Sequence, residues 1–133
     1  MKELTRAEEQ IMHVLWEIEK GVVKDVLDRL PDPKPAYNTV STIVRILEKK
    51  GFAGHEAFGK THRYFPLITL NEYRRGFLKS LVNRFFGNSY QEMVSFFASD
   101  RKITIRELEE MKVSLAEEIE RQKTEGQDGR KLD

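Results

Sequence analysis

Residues 37–51 read Tyr-Asn-Thr-Val-Ser-Thr-Ile-Val-Arg-Ile-Leu-Glu-Lys-Lys-Gly, and the fold turns on this stretch. Val40, Ile43, Val44 and Leu47 recur at helical period and form an apolar stripe, while Asn38, Thr39, Ser41, Thr42 and Arg45 lie towards the other side. One face is built to pack and the other offers short hydrogen-bonding groups. Tyr37 or Asn38 opens this helix and Gly51 closes it. Just upstream, Asp32 to Pro35 holds two prolines, which force an extended turn because a residue before proline is kept out of the helical region.

Further upstream, Thr5 and Glu8 have the spacing of a capping box, and Ile11, Val14, Leu15 and Ile18 follow at helical period. This predicts a first helix to about Lys20, stopped by Gly21 in a left-handed conformation. Val23, Val26, Leu27 and Leu30 then mark a short second helix that ends at Pro31. Downstream of Gly51, Phe52–His55 and Thr61–Pro66 read as two brief strands joined by residues 56–60, with Gly59 able to take a positive φ. From Asn71 the helical pattern returns through Tyr73, Phe77, Leu78, Leu81, Val82 and Phe85 to about Gly87. Two more capping boxes, Ser89 with Glu92 and Thr104 with Glu107, start helices carrying Met93, Val94, Phe96 and Phe97, and then Leu108, Met111, Leu115 and Ile119. Residues 124–133 have nothing to bury and are expected to be a disordered tail.

The formal net charge of the 133 residues is only +1, but its distribution is uneven. Before Lys34 there are five Lys/Arg against eight Asp/Glu; from Lys34 to Arg75 there are eight against three, with His55 and His62 besides. A basic block in an otherwise balanced chain points to a local anionic contact surface. Cysteine is absent, which excludes disulfides, thiol nucleophiles and thiolate metal sites. No apolar run approaches the roughly 18 residues of a membrane span, and the first residues lack the apolar core of a secretory signal, so a soluble, cytoplasmic protein without membrane insertion is expected.

Helix, helix, helix and basic hairpin in that order is the layout of a winged helix-turn-helix domain. The expected fold class is therefore mainly α with a small β-hairpin, in which a winged-helix DNA-binding domain (1–70) precedes a helical dimerisation region (71–123) and the tail (124–133). An α-helix fits the major groove, where short side chains let the backbone approach base edges, while a wing and flanking cations hold phosphates. Tyr37, Asn38, Thr39, Ser41, Thr42 and Arg45 are assigned to base readout, and Lys49, Lys50, Lys60, Thr61 and Arg63 to phosphate. Each has a plainer competitor. Asn38 could be an N-cap, Tyr37 a core lid, and Lys49 and Lys50 could simply offset the helix dipole.

The block Leu4-Thr5-Arg6-Ala7-Glu8-Glu9-Gln10-Ile11-Met12-His13-Val14-Leu15-Trp16 resembles the opening helix of the BlaI/MecI/CopY repressors, the penicillinase-repressor family. Asn38-Thr39-Val40-Ser41-Thr42, Arg45, Leu47, Lys49-Lys50-Gly51 and Tyr64 resemble that family's recognition helix and wing. The resemblance spans residues from about 4 to about 120. It implies a repressor that binds a palindromic double-stranded operator as a homodimer. It also implies release by proteolysis in the helical region after a membrane sensor–protease system detects a signal such as a β-lactam. The stretch similar to the family's cleavage segment is Met93-Val94-Ser95-Phe96-Phe97-Ala98, which lacks the Asn-Phe bond of the β-lactam-responsive members and places a cleavage region at Ser95, Phe96 and Phe97. Without cysteine the chain cannot sense copper through thiolates.

Dimerisation has its own support in the composition, because three short aromatic-rich helices cannot hide all their apolar faces alone. Phe77, Leu81, Phe85, Met93, Phe96, Phe97, Leu108, Met111, Leu115 and Ile119 are the expected contacts. Against these readings stand an enzyme and a protein-binding adaptor. His13, His55 and His62 show no spacing for a nucleophile or metal; His13 reads as a partly buried structural residue, His62 in the wing reads as a sugar or phosphate contact at least as readily as a ligand, and the carboxylates read as solvated helix faces. No cofactor, metal or catalytic residue is expected. A winged helix can also serve as an adaptor, but the cations on the third helix and hairpin favour nucleic acid.

Overall fold

A computed structural model describes residues 3–132, and the side chains of residues 3–126. Helix α1 (Arg6–Ile18) starts at a reciprocal capping box: Glu8 N donates to Thr5 Oγ1 at 3.2 Å and Thr5 N donates to Glu8 Oε1 at 2.7 Å. The helix ends earlier than its sequence suggests. Its left-handed stop is Glu19, with φ 70°, and Gly21 has a different task. Gly21 exchanges backbone hydrogen bonds with Tyr64 at 2.9 and 2.7 Å, and a Cβ there would lie 2.6 Å from Ile18 Cδ1. It is a one-residue strand stub, and a side chain there would oblige the terminal methyl of Ile18 to move.

Helix α2 (Val23–Asp28) is capped at its start by Asp25, whose carboxylate accepts from Val22 N at 3.0 Å. Helix α3 (Tyr37–Lys49) ends in a Schellman motif: Gly51, at φ 84°, donates to Glu48 O at 3.0 Å, and Phe52 donates to Leu47 O at 2.9 Å. Strands β1 (Ala53–Phe58) and β2 (Thr61–Pro66) then pair antiparallel, with Ala53 opposite Pro66 and Phe58 opposite Thr61. Expected as a five-residue connection, the turn contains only Gly59 and Lys60. Gly59 takes φ 62° at the first turn position, which lets the strands pair to the tip, so Glu56, Ala57 and Phe58 belong to the strand.

Leu4, Ile11, Met12, Leu15, Val26, Val40, Val44, Leu47, Phe52 and Tyr64 are all buried in one core that joins α1, α2, α3 and the hairpin. Trp16 seals one side, donating from its indole to Ile68 O at 2.8 Å. His13 is exposed and meets Trp16 edge-on at 5.2 Å, where the sequence suggested a partly buried residue.

The chain divides into two units, Met1–Leu81 and Val82–Asp133, and the division falls inside helix α4 (Leu70–Phe86), eleven residues beyond the boundary expected at residue 70. The start of α4 has a capping box the sequence reading passed over, with Glu72 N donating to Thr69 Oγ1 at 3.0 Å. Helix α5 (Tyr90–Ala98) is capped by Ser89, and α6 (Ile105–Leu132) by Thr104 with Glu107. Residues 124–132 continue α6 in place of the expected tail. Up to that point the helix is supported by near-neighbour pairs, Arg121 with Glu118 and Lys123 with Glu120, rather than by burial, which is why hydrophobic periodicity did not reveal it. Among the described residues no helix is long and apolar enough to cross a membrane.

Candidate nucleic-acid interface

The face of α3 opposite the core is open. Asn38, Ser41, Thr42, Arg45 and Lys49 recur along it at three- and four-residue intervals, and all but the half-buried Ser41 are exposed. Thr39 and Tyr37 are also exposed, Tyr37 by 51%, so Tyr37 is not a core lid. Nor is Asn38 the cap. Ala36 occupies the N-cap position with no side-chain bond, which leaves the Asn38 amide at the second helical residue without an intramolecular partner. Arg45 folds back along the helix, its Nε donating to Ser41 O at 3.2 Å. The result is a strip of short polar groups whose hydrogen-bonding capacity is unspent within the molecule.

The cations of the basic block divide into two kinds. Lys49, Lys60 and Arg75 have no intramolecular ionic or hydrogen-bonding partner among the described residues. The others are engaged. Lys34 closes the end of α2, donating to Asp28 O at 2.9 Å and Leu30 O at 2.7 Å. Lys50 reaches back to α1 and pairs with Glu8 at 2.8 Å, where Glu8 is only 4% exposed. Burial would raise the Glu8 carboxyl, but hydrogen bonds from Lys50 and Thr5 outweigh it and hold the group below the usual carboxylate range.

Alternation along β2 sorts the wing into two faces. Tyr64, buried beneath α3, shares its face with His62 and, across the pair, with His55 and Ala57. Burial, followed by the nearby Glu48 charge, raises the Tyr64 phenol. Arg63 and Thr61 point to the opposite face. There Arg63 donates twice to Glu56 Oε1, at 3.1 and 2.8 Å, and lies 4.5 Å over the Phe58 ring. Lys20, just past α1, meets the same Glu56 oxygen at 3.0 Å, and these two donors hold the Glu56 carboxyl low. Thr61 Oγ1 donates to Phe58 O at 2.9 Å and so braces the turn. The face towards α3 therefore carries imidazoles, while Arg63, assigned to phosphate from the sequence, lies on the other face. The signal for this was available, since Tyr64 had to face the core and period two then sends Arg63 away.

In the sequence, His62 reads as a sugar or phosphate contact in the wing, and His55 has no assigned role. His55 Nδ1 lies 2.5 Å from Glu48 Oε2, tying the wing to α3, and the two imidazoles stack 4.1 Å apart and within 12° of parallel. Among the described residues no group of three or more potential ligands could hold a metal ion.

In the second unit, Met93, Phe97, Leu108, Met111, Leu115 and Ile119 line an open apolar groove of about 880 Å³ between α5 and α6. Ser95 is exposed, and Phe96 is 68% exposed with its ring 5.7 Å from that of Phe86. Phe85 is 65% exposed. In the first unit, Phe77 is exposed and Leu81 is half-buried.

The chain is 21% identical over 111 residues to the methicillin resistance regulatory protein MecI of Staphylococcus aureus strain N315, covering 83% of this chain and 90% of that protein. It is 26% identical over 122 residues to the penicillinase repressor of Bacillus licheniformis, covering 91% and 95%. A solved structure described as the CopR repressor is 26% identical, with a TM-score of 0.43 over 50% of this chain and 99% of that one. Residues 4–117 match the penicillinase repressor family, and the chain belongs to that family.

Proposed function

We propose that the protein is a transcriptional repressor that binds double-stranded DNA as a homodimer on a palindromic operator. The observation that carries this reading is the open strip on α3, with Asn38, Thr42 and Arg45 exposed beside the unpartnered cations Lys49 and Lys60. Short polar groups on an exposed helix match base edges in a major groove, and unpaired lysines match phosphates. The homodimer is supported by the aromatic and aliphatic side chains that α5 and α6 leave in water: Phe96, Leu115 and Ile119 are each more than half exposed. A two-fold dimer would place two α3 helices about 34–36 Å apart, or a multiple of that, and so favours a palindrome.

Release by cleavage near Ser95, Phe96 and Phe97, driven by a membrane sensor–protease system and a signal such as a β-lactam, is the finer part of the reading. It is supported by family membership and by the character of α5, which has no buried residue and would open locally at low cost. We read the chain as a binding protein rather than an enzyme, and as needing no cofactor.

Sedimentation of the purified protein with random duplex DNA tests the central claim. A dimer that moves onto DNA at low salt and leaves it at raised salt is expected. Failure to move at any salt would refute DNA binding and leave the protein-adaptor reading.

A further inference from the structure

Three histidines and no cysteine make imidazole the side chain through which this protein can change charge between about pH 5 and about pH 8. His13 stands apart on α1, against Trp16. His55 and His62 are brought together by the hairpin register, two residues out of direct opposition, and stack on the wing face that looks towards α3. The groups around them are few. From α3, Glu48 meets His55 Nδ1, while Arg45 and Tyr37 act on the Tyr64 phenol; from β2, Tyr64 lies 5.8 and 6.3 Å from the two imidazoles; from β1, Ala57 is opposite His62. Glu56 and Arg63 are on the other face, occupied with each other and with Lys20.

We propose that the stacked His55–His62 pair is a phosphate-binding site of the wing that takes up one proton when it engages DNA. This rests on the DNA-binding function proposed above. With Glu48 ionised, His55 Nδ1 must be the donor of that hydrogen bond, so Nε2, on the far side of the ring, is the nitrogen left to gain or lose a proton. A phosphate beside the pair favours the charged form, and solvent supplies the proton. Two charges on rings 4.1 Å apart would repel, which limits uptake to one. On this face of the hairpin the basic side chains are the imidazoles, and Arg63 lies on the other. The wing would therefore hold DNA more tightly as the pH falls, through a contact distinct from the constant charge of Lys60 at its tip.

The test is binding of the full-length protein to a fluorescent random duplex at fixed ionic strength, at about pH 6, 7 and 8. Proton uptake linked to binding predicts affinity about tenfold tighter at the acid end. His13→Gln should keep that dependence. His55→Gln/His62→Gln should flatten it to within about twofold. His62→Arg, at an exposed position, should bind at about pH 8 as tightly as the natural protein does at about pH 6, and it tests the same contact should the double variant not fold. A natural protein whose affinity does not change with pH would overturn the site. So would a dependence that survives in the double variant, or a His62→Arg protein that remains weak at alkaline pH. Loss of all binding at every pH in the natural protein would instead refute the DNA reading itself, and the site with it.

Discussion

At the scale of single residues, a basic sequence block is a poor count of available cations. Eight Lys/Arg between Lys34 and Arg75 suggested a phosphate surface, yet Lys34, Lys50 and Arg63 are held by a helix end, a buried carboxylate and a wing carboxylate. No spacing rule announces such long-range partners; Lys50 and Glu8 are 42 positions apart. Glu8 serves both the α1 cap and Lys50, so Glu8→Ala should cost about 2 kcal/mol in urea unfolding, combining a lost cap with a stranded, partly buried ammonium. Because the folded carboxyl sits below its ordinary value of 4.5, its stabilisation is present above that pH and lost as the pH falls through the folded value. The difference between natural and Glu8→Ala proteins should therefore shrink in acid; a constant difference would mean that the pair contributes only packing. Asn38 and Thr42, by contrast, have no partner to lose. Replacing either by Ala should leave stability within about 0.5 kcal/mol and lower operator-to-random discrimination by about 1–3 kcal/mol, measured on sites selected from a random library. An unchanged ratio would remove that residue from base readout.

At the scale of elements, most of the first unit was legible because each piece carries its own punctuation. The Thr5–Glu8 box, the prolines before α3 and the Gly51 stop are local chemistry, and all three act in the structure as local rules require. What was missed depended on contacts between elements. Gly21 read as a helix stop because its real constraint, the Ile18 side chain and the Tyr64 backbone, is not written nearby. The wing was drawn too short, since a turn of Gly59 and Lys60 after an apolar Phe58 looks, in sequence, like the end of a loop. Correct register changes the functional reading. Lys60 sits at the tip without a partner, whereas Arg63 must break its Glu56 contacts to reach a phosphate. Lys60→Ala should then weaken all duplexes alike and reduce the salt slope by about one unit, while Arg63→Ala should change it less. Equal slopes for the natural and Lys60→Ala proteins would take the wing tip off the DNA.

At the scale of the whole molecule, the second unit has elements but little interior. None of the nine residues of α5 is buried, and α6 over residues 105–126 is exposed except for a half-buried Leu108. Apolar side chains on such helices gain from association the burial they do not get within one chain, at about 25 cal/mol per Å² of apolar surface removed from water. Leu115 tests this sharply. It lines the α5–α6 groove yet is 57% exposed, so a single chain should accept a charge there with little loss of stability, while a symmetric interface would bury that charge once in each copy without a partner. Leu115→Glu should therefore sediment as a monomer at concentrations where the natural protein is a dimer. Its unfolding should then lose the concentration dependence that linked dimerisation imposes. Its affinity for a single half-site should be preserved while that for a full palindrome falls by about 10²-fold or more, since the second head no longer arrives tethered to the first. A Leu115→Glu protein that remains dimeric would move the interface off the α5–α6 groove, towards the exposed Phe77 and Phe85 of α4. If the natural protein is itself monomeric, the palindrome loses its structural basis, and a single α3 must supply the whole of recognition.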